Sequence, residues 1–273
     1  MTTSREVMST GPTTISADAP IAEAARLRVT LDLRHLPVVD AQGNLVGMLS
    51  DRDLKRLFAP FVVPEMRIGE PFAEHVRDIM SSDALSVGPD SDLADVVDLI
   101  LENRIGAVPV VDQLGHVMGI VSYVDVLRAL AKGAHEGAAA EDVMTKDPTT
   151  IDVNASAGEA IEALQSIDAR HLPVVDRQGE LVGMVSDRDL GSWARQFSEG
   201  EDARRSIETL STVGVADIMS SDPVSVDADA DVDEIVETML DRKVGALPVV
   251  DDQNRVVGIV SYVDLLRVFT RTT

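Results

Sequence analysis

The sequence predicts an α+β protein made of four β-α-β-β-α repeats that pair with one another. Residues 33–54 align without a gap to residues 169–190, and residues 107–128 align in the same way to residues 246–267. Both pairs share one frame, in which Pro-Val-Val-Asp is followed by a polar turn, an apolar run that ends in Gly, and Ser-x-x-Asp. An internal period of this kind indicates duplicated structural units.

Each repeat contains the same predicted elements in the same order. A short opening strand is expected at residues 13–16, 85–87, 149–151 and 224–226. A helix follows, because apolar residues recur at helical spacing, as in Leu93, Val96, Val97, Ile100 and Leu101 and in Val232, Ile235, Val236, Met239 and Leu240. Two apolar strands come next, at 36–39 and 45–49 in the first repeat, joined by a hairpin at 40–44. The last helix begins at Ser-x-x-Asp.

The domain boundaries follow from composition. We predict repeats at residues 1–58, 76–130, 141–194 and 214–273, with a linker at 131–140 that is rich in Gly and Ala. Longer connections occupy 55–75 and 191–213. A repeat of this size cannot bury both faces of its own sheet, so each is expected to pack against a neighbour.

Composition excludes several classes of function. The 273 residues carry a formal net charge of −23, which argues against binding to nucleic acid or to anionic lipid. There is no cysteine and no run of eighteen apolar residues, so we expect a soluble cytoplasmic protein without disulfides or membrane spans. Any anionic ligand must therefore find a local cationic pocket.

The motif Ser-x-x-Asp has two interpretations, and the sequence leaves both open. It occurs as Ser50/Asp53, Ser122/Asp125, Ser186/Asp189 and Ser261/Asp264. Before an apolar helix it is a capping box, in which both side chains satisfy free amides of the first turn. The same geometry suits a ligand, because a helix N-terminus attracts anions and a carboxylate accepts hydrogen bonds from vicinal hydroxyls.

With these motifs the chain resembles four CBS domains, the modules named after cystathionine β-synthase. In that family two domains form a pseudo-twofold pair, the Bateman module, and clefts between them commonly bind AMP, ADP or ATP. The resemblance covers nearly the whole chain and implies two tandem Bateman modules, which often stack into a disc.

The resemblance implies a role for each matching residue. It assigns Asp53, Asp125, Asp189 and Asp264 to the ribose hydroxyls, and Ser50, Ser122, Ser186 and Ser261 to phosphate or ribose. The opening-strand hydroxyls lie near base or ribose in the family; here they are Thr14, Ser86, Thr150 and Ser225. Phosphate is expected at Arg34, His35 and Arg52 and at Arg170, His171 and Arg188. Arginine suits phosphate because its planar fork binds two oxygens.

The second and fourth repeats depart from this pattern. They have Ile105-Gly106 and Val244-Gly245 where the others have Arg-His, and Tyr-Val where the others have Asp-Arg after the motif serine. Their clefts are therefore expected to be less cationic, with unequal occupancy. The alternative to phosphate binding is that these arginines and histidines are surface charges at the start of a strand. The methionines Met8, Met80, Met144 and Met219 are expected to pack at the start of each repeat.

The function predicted from the sequence is a non-enzymatic regulatory protein that senses adenosine nucleotides and changes the arrangement of its modules. No catalytic or metal motif is present, and no cofactor is expected. The partner would be an unknown effector protein, and homodimer formation is open. A ligand-free scaffold and a sensor of another adenosine compound, such as S-adenosylmethionine, remain as alternatives. Inosine monophosphate dehydrogenases, which carry CBS pairs as inserts, need a barrel of about 250 residues for which there is no room.

Overall fold

The computed structural model describes residues 2–50, 53–54, 74–130, 138–167, 169–190 and 212–271. The described residues fall into two compact units: residues 2–50, 53–54, 74–130 and 266–271 form the first, and residues 138–167, 169–190 and 212–265 form the second. Within the described residues, no helix has both the length and the apolar character needed to cross a bilayer.

Each repeat combines helices with pairs of consecutive strands. Repeat 1 contains α1 (Ser4–Val7), β1 (Ser9–Thr10), β2 (Ile15–Ser16), α2 (Ile21–Leu31), β3 (His35–Val39) and β4 (Leu45–Ser50). Repeat 2 contains a 3₁₀ turn (Val76–Asp78), β5 (Ser81–Ser82), α3 (Leu93–Glu102), β6 (Ala107–Val111), β7 (Val117–Ser122) and α4 (Tyr123–Leu130).

Repeats 3 and 4 follow nearly the same order. Repeat 3 contains α5 (Ala140–Val143), β8 (Thr145–Lys146), β9 (Ile151–Asp152), α6 (Ala157–Ser166), β10 (His171–Val175) and β11 (Leu181–Ser186). Repeat 4 contains a 3₁₀ turn (Val215–Asp217), β12 (Ser220–Ser221), β13 (Val226–Asp227), α7 (Val232–Arg242), β14 (Ala246–Val250), β15 (Val256–Ser261) and α8 (Tyr262–Arg271).

The predicted α+β fold is confirmed, and every repeat is built on the predicted hairpin. In repeat 1, β3 and β4 are antiparallel, with His35 opposite Ser50 and a bulge between Val38 and Val39. Asp40 closes the turn, because its side chain accepts hydrogen bonds from the backbone N–H groups of Gln42 and Asn44, each at 2.9 Å. This accounts for the aspartate of the Pro-Val-Val-Asp motif.

The opening strands are shorter than predicted and begin later. β2 starts at Ile15, β9 at Ile151 and β13 at Val226, while repeat 2 has only a single bridge, from Val87 to Val110. The predicted strands were too long because the residues before them have no sheet partner in the structure. The hydroxyl residues assigned to these strands therefore directly precede them. The connections 55–75 and 191–213 lie almost entirely outside the described residues.

Each of the four sheets contains one strand that the sequence did not predict. Strand orders are β2-β3-β4-β5, β1-β7-β6, β12-β11-β10-β9 and β13-β14-β15-β8. Each of β1, β5, β8 and β12 thus pairs with the hairpin of the other repeat in its unit, and we call these the exchanged strands. In the first unit, Ser81 lies opposite Met48 and Ser9 lies opposite Ile120.

Each exchanged strand belongs to an arm that crosses to the paired repeat. The arms comprise residues 2–10, 74–82, 138–146 and 213–221, so the last residues of the predicted linker lie in one of them. The Val76 N–H donates to the Ala19 carbonyl at 2.9 Å. The Val76 side chain is fully buried in the core of repeat 1, as Val215 is in that of repeat 3. The paired repeats therefore share their cores.

The methionines at the start of each repeat pack against the paired repeat, which confirms their predicted packing role. A Cβ placed on Gly47 would lie 2.6 Å from the Met80 sulfur and 2.9 Å from the Ser81 carbonyl oxygen. The glycines that precede the other three motif serines have the same relation to Met8, Met219 and Met144. Glycine is needed there because the arm approaches the hairpin so closely.

Candidate functional site

The motif serine and aspartate contact each other in the same way in every repeat. In repeat 1, the Ser50 N–H and Oγ–H both donate to Asp53 Oδ2, at 2.7 and 2.5 Å. The corresponding hydroxyl bonds are 2.6 Å in repeat 2, 2.5 Å in repeat 3 and 2.6 Å in repeat 4. In the reverse direction, the Asp53 N–H donates to Ser50 Oγ at 3.4 Å, and the equivalent bonds in repeats 2 and 3 are 3.3 Å long. These reciprocal bonds confirm the interpretation of Ser-x-x-Asp as a helix cap.

The cap uses one carboxylate oxygen and holds the aspartate in a fixed orientation. Both hydrogen bonds from Ser50 to the Asp53 carboxylate end on Oδ2, and only 5% of this residue is exposed. In repeat 2, the other oxygen of Asp125 accepts a long hydrogen bond from Ser9 Oγ, at 3.5 Å. Ser9 belongs to the exchanged strand of repeat 1, so one motif aspartate is contacted by both repeats.

The four hydroxyl residues assigned to the base or ribose lie just before the opening strand of each repeat. Thr14, Ser86 and Thr150 are exposed, and Ser225 is half-buried. They are therefore accessible to a ligand.

The arginine that precedes the Pro strand reaches across to the paired repeat. Arg34 Nη1 donates to Tyr123 Oη at 2.5 Å, and Tyr123 directly follows the motif serine of repeat 2. Only 7% of Tyr123 is exposed. The backbone of Arg34 adjoins the hairpin of repeat 1, whereas its charge lies beside a residue of repeat 2.

The histidine that follows this arginine packs on a glycine of the paired repeat. A Cβ on Gly106 would lie 2.6 Å from His35 Cε1, and one on Gly245 would lie 3.3 Å from His171 Cε1. The strand bounds align His35 with Ala107 and Arg34 with Gly106, so the sequence comparison of Arg-His with Ile105-Gly106 was wrong by one residue. A side chain at 106 would require the His35 ring to move out of the space beside it.

His171 is a neutral side chain at physiological pH. Burial lowers its pKa to about 4, an effect that nearby Asp187 opposes and that Arg188 and Arg170 reinforce. The ring packs against Gly245 and is half-buried. The alternative interpretation, in which these histidines are surface charges at a strand start, therefore does not describe His171. Any contribution of His171 to phosphate binding would come from hydrogen bonding and not from a positive charge.

The remaining predicted cations have different surroundings. Arg188 is exposed and Arg170 is half-buried, whereas Arg52 lies outside the described residues. Sequence reasoning missed Tyr123 and Ser9. The one available signal for the tyrosine was its recurrence directly after the motif serine in repeats 2 and 4. No group of His, Asp and Glu side chains in the described part of the chain is arranged to hold a metal ion.

Comparison with known proteins matches four segments of the chain to one family. The family described as CBS domain matches residues 5–60, 76–132, 140–193 and 215–271, which is most of the chain. The uncharacterized protein MJ1225 of Methanocaldococcus jannaschii is 27% identical over 249 residues, which cover 86% of this chain and 87% of that protein. Its crystal structure, at 23% identity, covers 98% of this chain and 100% of its own with a TM-score of 0.80.

Two further relatives differ in length. An uncharacterized 33.4 kDa protein from the ribosomal RNA operon of Thermofilum pendens is 31% identical over 246 residues, which cover 86% of this chain and 80% of that protein. The inosine-5'-monophosphate dehydrogenase of M. jannaschii is 34% identical over 128 residues, covering 47% of this chain but only 23% of the enzyme. A small part of the enzyme thus matches about half of this chain.

Proposed function

This chain belongs to the CBS domain family and contains four CBS domains, and we propose from this that it is a cytoplasmic regulatory protein that binds adenosine nucleotides. AMP, ADP or ATP would bind in clefts between paired repeats and change the arrangement of the two modules. The output would be transmitted to an effector protein. The observation that carries this proposal is the identical geometry of the four Ser–Asp pairs.

The geometry suits ribose recognition because the cap fixes the carboxylate in advance. Hydrogen bonds from Ser50 hold Oδ2 of Asp53, and the equivalent bonds hold the other three aspartates. A carboxylate whose orientation is already set loses less side-chain entropy when vicinal hydroxyls bind to it. The cap is thus compatible with a binding role and contributes to it.

A ligand can regulate only if it binds one arrangement of the protein better than another. Paired repeats exchange strands and share cores, and Arg34 and Tyr123 connect them beside the motif of repeat 2. A nucleotide that contacts both repeats would therefore favour one relative position of these elements.

A ligand-free scaffold is the second candidate, and one observation favours it. The capping hydrogen bonds are a sufficient structural reason for serine and aspartate to occur in all four repeats. The scaffold would serve self-association or docking on an enzyme or transporter.

Isothermal titration calorimetry with AMP, ADP, ATP and S-adenosylmethionine separates these candidates. Binding should be lost in Asp53→Asn/Asp189→Asn, in Asp125→Asn/Asp264→Asn, or in both, according to which clefts are used. Asp40→Asn is the matched control, because Asp40 closes a hairpin turn. If only S-adenosylmethionine binds, the nucleotide assignment is wrong. If no compound produces heat, the scaffold is favoured.

A further inference from the structure

A methionine sulfur lies between each arm and the hairpin to which the arm crosses. The methionine directly precedes the exchanged strand, and its sulfur packs on the glycine three residues before the motif serine of the paired repeat. A Cβ on Gly47, for example, would lie 2.6 Å from the Met80 sulfur. Because each sulfur occupies the space that a Cβ would need, little room remains around it for an added atom.

These side chains are nevertheless within reach of small molecules. Met8, Met80, Met144 and Met219 are all half-buried, whereas only 2% of Met239 in α7 is exposed. The exchanged strand that follows each of the four is two residues long, with both residues exposed. Elements with so few buried contacts open more readily than the core of a domain. A small oxidant can therefore reach these sulfurs without unfolding the whole unit.

Methionine is the oxidisable sulfur of this protein, because the chain has no cysteine. A thioether sulfur attacks one oxygen of hydrogen peroxide, and the O–O bond breaks as the S–O bond forms. The sulfur loses two electrons and becomes a sulfoxide, while the second oxygen leaves with both protons as water. The product is a polar side chain that is one oxygen atom larger.

We propose that Met8, Met80, Met144 and Met219 are sites of reversible oxidation by peroxides, and that sulfoxide formation releases the arm from the hairpin. The added oxygen needs space that the glycine contact does not provide, and it needs polar partners that an apolar packing site lacks. A dithiol-dependent reductase restores the thioether, with water and a disulfide as the other products. Neither step requires a nucleotide.

Release of an arm would reach the Ser-x-x-Asp motif of the paired repeat. Met8 is followed by Ser9, whose hydroxyl donates to Oδ1 of Asp125 at 3.5 Å. The pairing of Ser9 with Ile120 lies directly beside the contact of Met8 with Gly119. Oxidation of Met8 would thus remove a hydrogen bond from a motif aspartate.

The arms also differ in how they are anchored. In the arm at residues 2–10, Arg5 forms an ion pair with Asp90 of the paired repeat at 3.2 Å. In the arm at residues 138–146, the corresponding residues are Glu141 and Asp229. Two like charges thus replace an ion pair. We expect this arm to open more often than the first, so that Met144 is oxidised faster than Met8.

The test treats the full-length protein with graded hydrogen peroxide. Mass spectrometry of peptides measures sulfoxide at each methionine, and hydrogen exchange measures opening of the arms. The first variant replaces the four sulfurs with a side chain of similar apolar volume, Met8→Leu/Met80→Leu/Met144→Leu/Met219→Leu. The matched control replaces three methionines of the hairpin strands, Met48→Leu/Met118→Leu/Met184→Leu. Glu141→Arg tests the order of reaction, and thermal melts confirm that each variant is folded.

The four arm methionines should be oxidised about tenfold or more faster than Met239, and hydrogen exchange in the arms should then accelerate about tenfold or more. Treatment with methionine sulfoxide reductases and dithiothreitol should restore slow exchange. The arms of the fourfold leucine variant should not respond to peroxide, whereas those of the control should respond as in the original protein. Glu141→Arg should slow oxidation of Met144 about two- to fivefold.

Three results would overturn the proposal. These are oxidation of the arm methionines no faster than that of Met239, unchanged exchange in the arms after oxidation, and equal acceleration in the fourfold leucine variant. The first two are measured on the unsubstituted chain, so they remain decisive if that variant does not fold. An unchanged rate at Met144 in Glu141→Arg would overturn the order of reaction. Since no nucleotide is used, none of these results depends on the proposed nucleotide binding.

Discussion

The motif aspartates cap their helices, and under the proposed function the same side chains would also contact a ligand. A carboxylate has two oxygens, and the hydrogen bonds from Ser50 end on only one of those of Asp53. A lysine or arginine at this position could not cap a helix N-terminus. An alanine could neither cap the helix nor accept hydrogen bonds from a ligand. If only the cap were selected, glutamate would serve as well as aspartate. Ser156 and Glu159 form such a capping box with the longer side chain.

Removal of one capping hydroxyl should destabilise the first unit slightly. Ser122→Ala removes the Oγ that accepts from the Asp125 N–H at 3.3 Å and donates to Asp125 Oδ2, and it should lower the free energy of unfolding by about 1 kcal/mol. Urea unfolding of the ligand-free protein, followed by circular dichroism, measures this difference. Ser82→Ala, an exposed position in β5, should change it by less than about 0.5 kcal/mol. Equal losses in both variants would show that the cap bond has no specific contribution.

His171 should make the second unit less stable in acid. Its pKa is about 4 in the folded protein and near 6.5 in the unfolded chain, so the unfolded chain binds more protons between these values. Its contribution is therefore complete above pH 6.5 and is lost as the pH falls toward 4, by up to about 3 kcal/mol.

The measurement is urea unfolding at pH 7.5 and pH 5 for the original protein and for His171→Asn. The variant should lose less stability over this interval, because the titrating group is gone. His116→Gln, in an exposed hairpin turn, serves as the control and should behave like the original protein. A pH dependence that is the same in His171→Asn and in the original protein would contradict the assignment.

At the scale of elements, the sequence predicted the helices and hairpins because their signals are local. The stripe from Leu93 to Ile100 is buried as expected in α3, and the polar turn at Asp40 forms the hairpin. The exchanged strands have no such signal. Each is two residues long with both side chains exposed, so alternation is absent, and the partner of Ser9 is Ile120, far along the chain. The contact of Arg34 with Tyr123 could not be predicted because these two residues also lie far apart in the chain.

The close approach of the arm to the hairpin makes the glycine before each motif serine sensitive to substitution. Gly47→Ala should cost about 1–3 kcal/mol, because the new Cβ would meet both the Met80 sulfur and the Ser81 carbonyl oxygen. Gly88→Ala is the control, since its nearest neighbour would be Ser91 Oγ at 3.8 Å. Thermal unfolding of both variants checks this. A melting temperature of Gly47→Ala equal to that of the control would mean that the arm is not held at this distance.

At the scale of the whole molecule, the structural domains are shifted relative to the repeats of the sequence. The repeated motifs revealed the four repeats, and their small size predicted that they pair. The range predicted for repeat 1, residues 1–58, does not contain all of its sheet or core. The sheet β2-β3-β4-β5 and the core that contains Val76 extend from Ile15 to Ser82. The arm at residues 2–10 instead completes the sheet of repeat 2.

This shift predicts which fragments retain structure. A fragment of residues 12–83 contains every strand of the first sheet and the buried side chains of its core, including Val76. A fragment of residues 1–73 has nearly the same length but lacks β5 and Val76. Circular dichroism and urea unfolding should show a cooperative transition for residues 12–83 and a weaker one, or none, for residues 1–73, because burial of apolar surface is the main source of stability. Equal cooperativity in the two fragments would mean that repeat 1 does not depend on the arm of its neighbour, and that strand exchange is a consequence of pairing and not a condition for it.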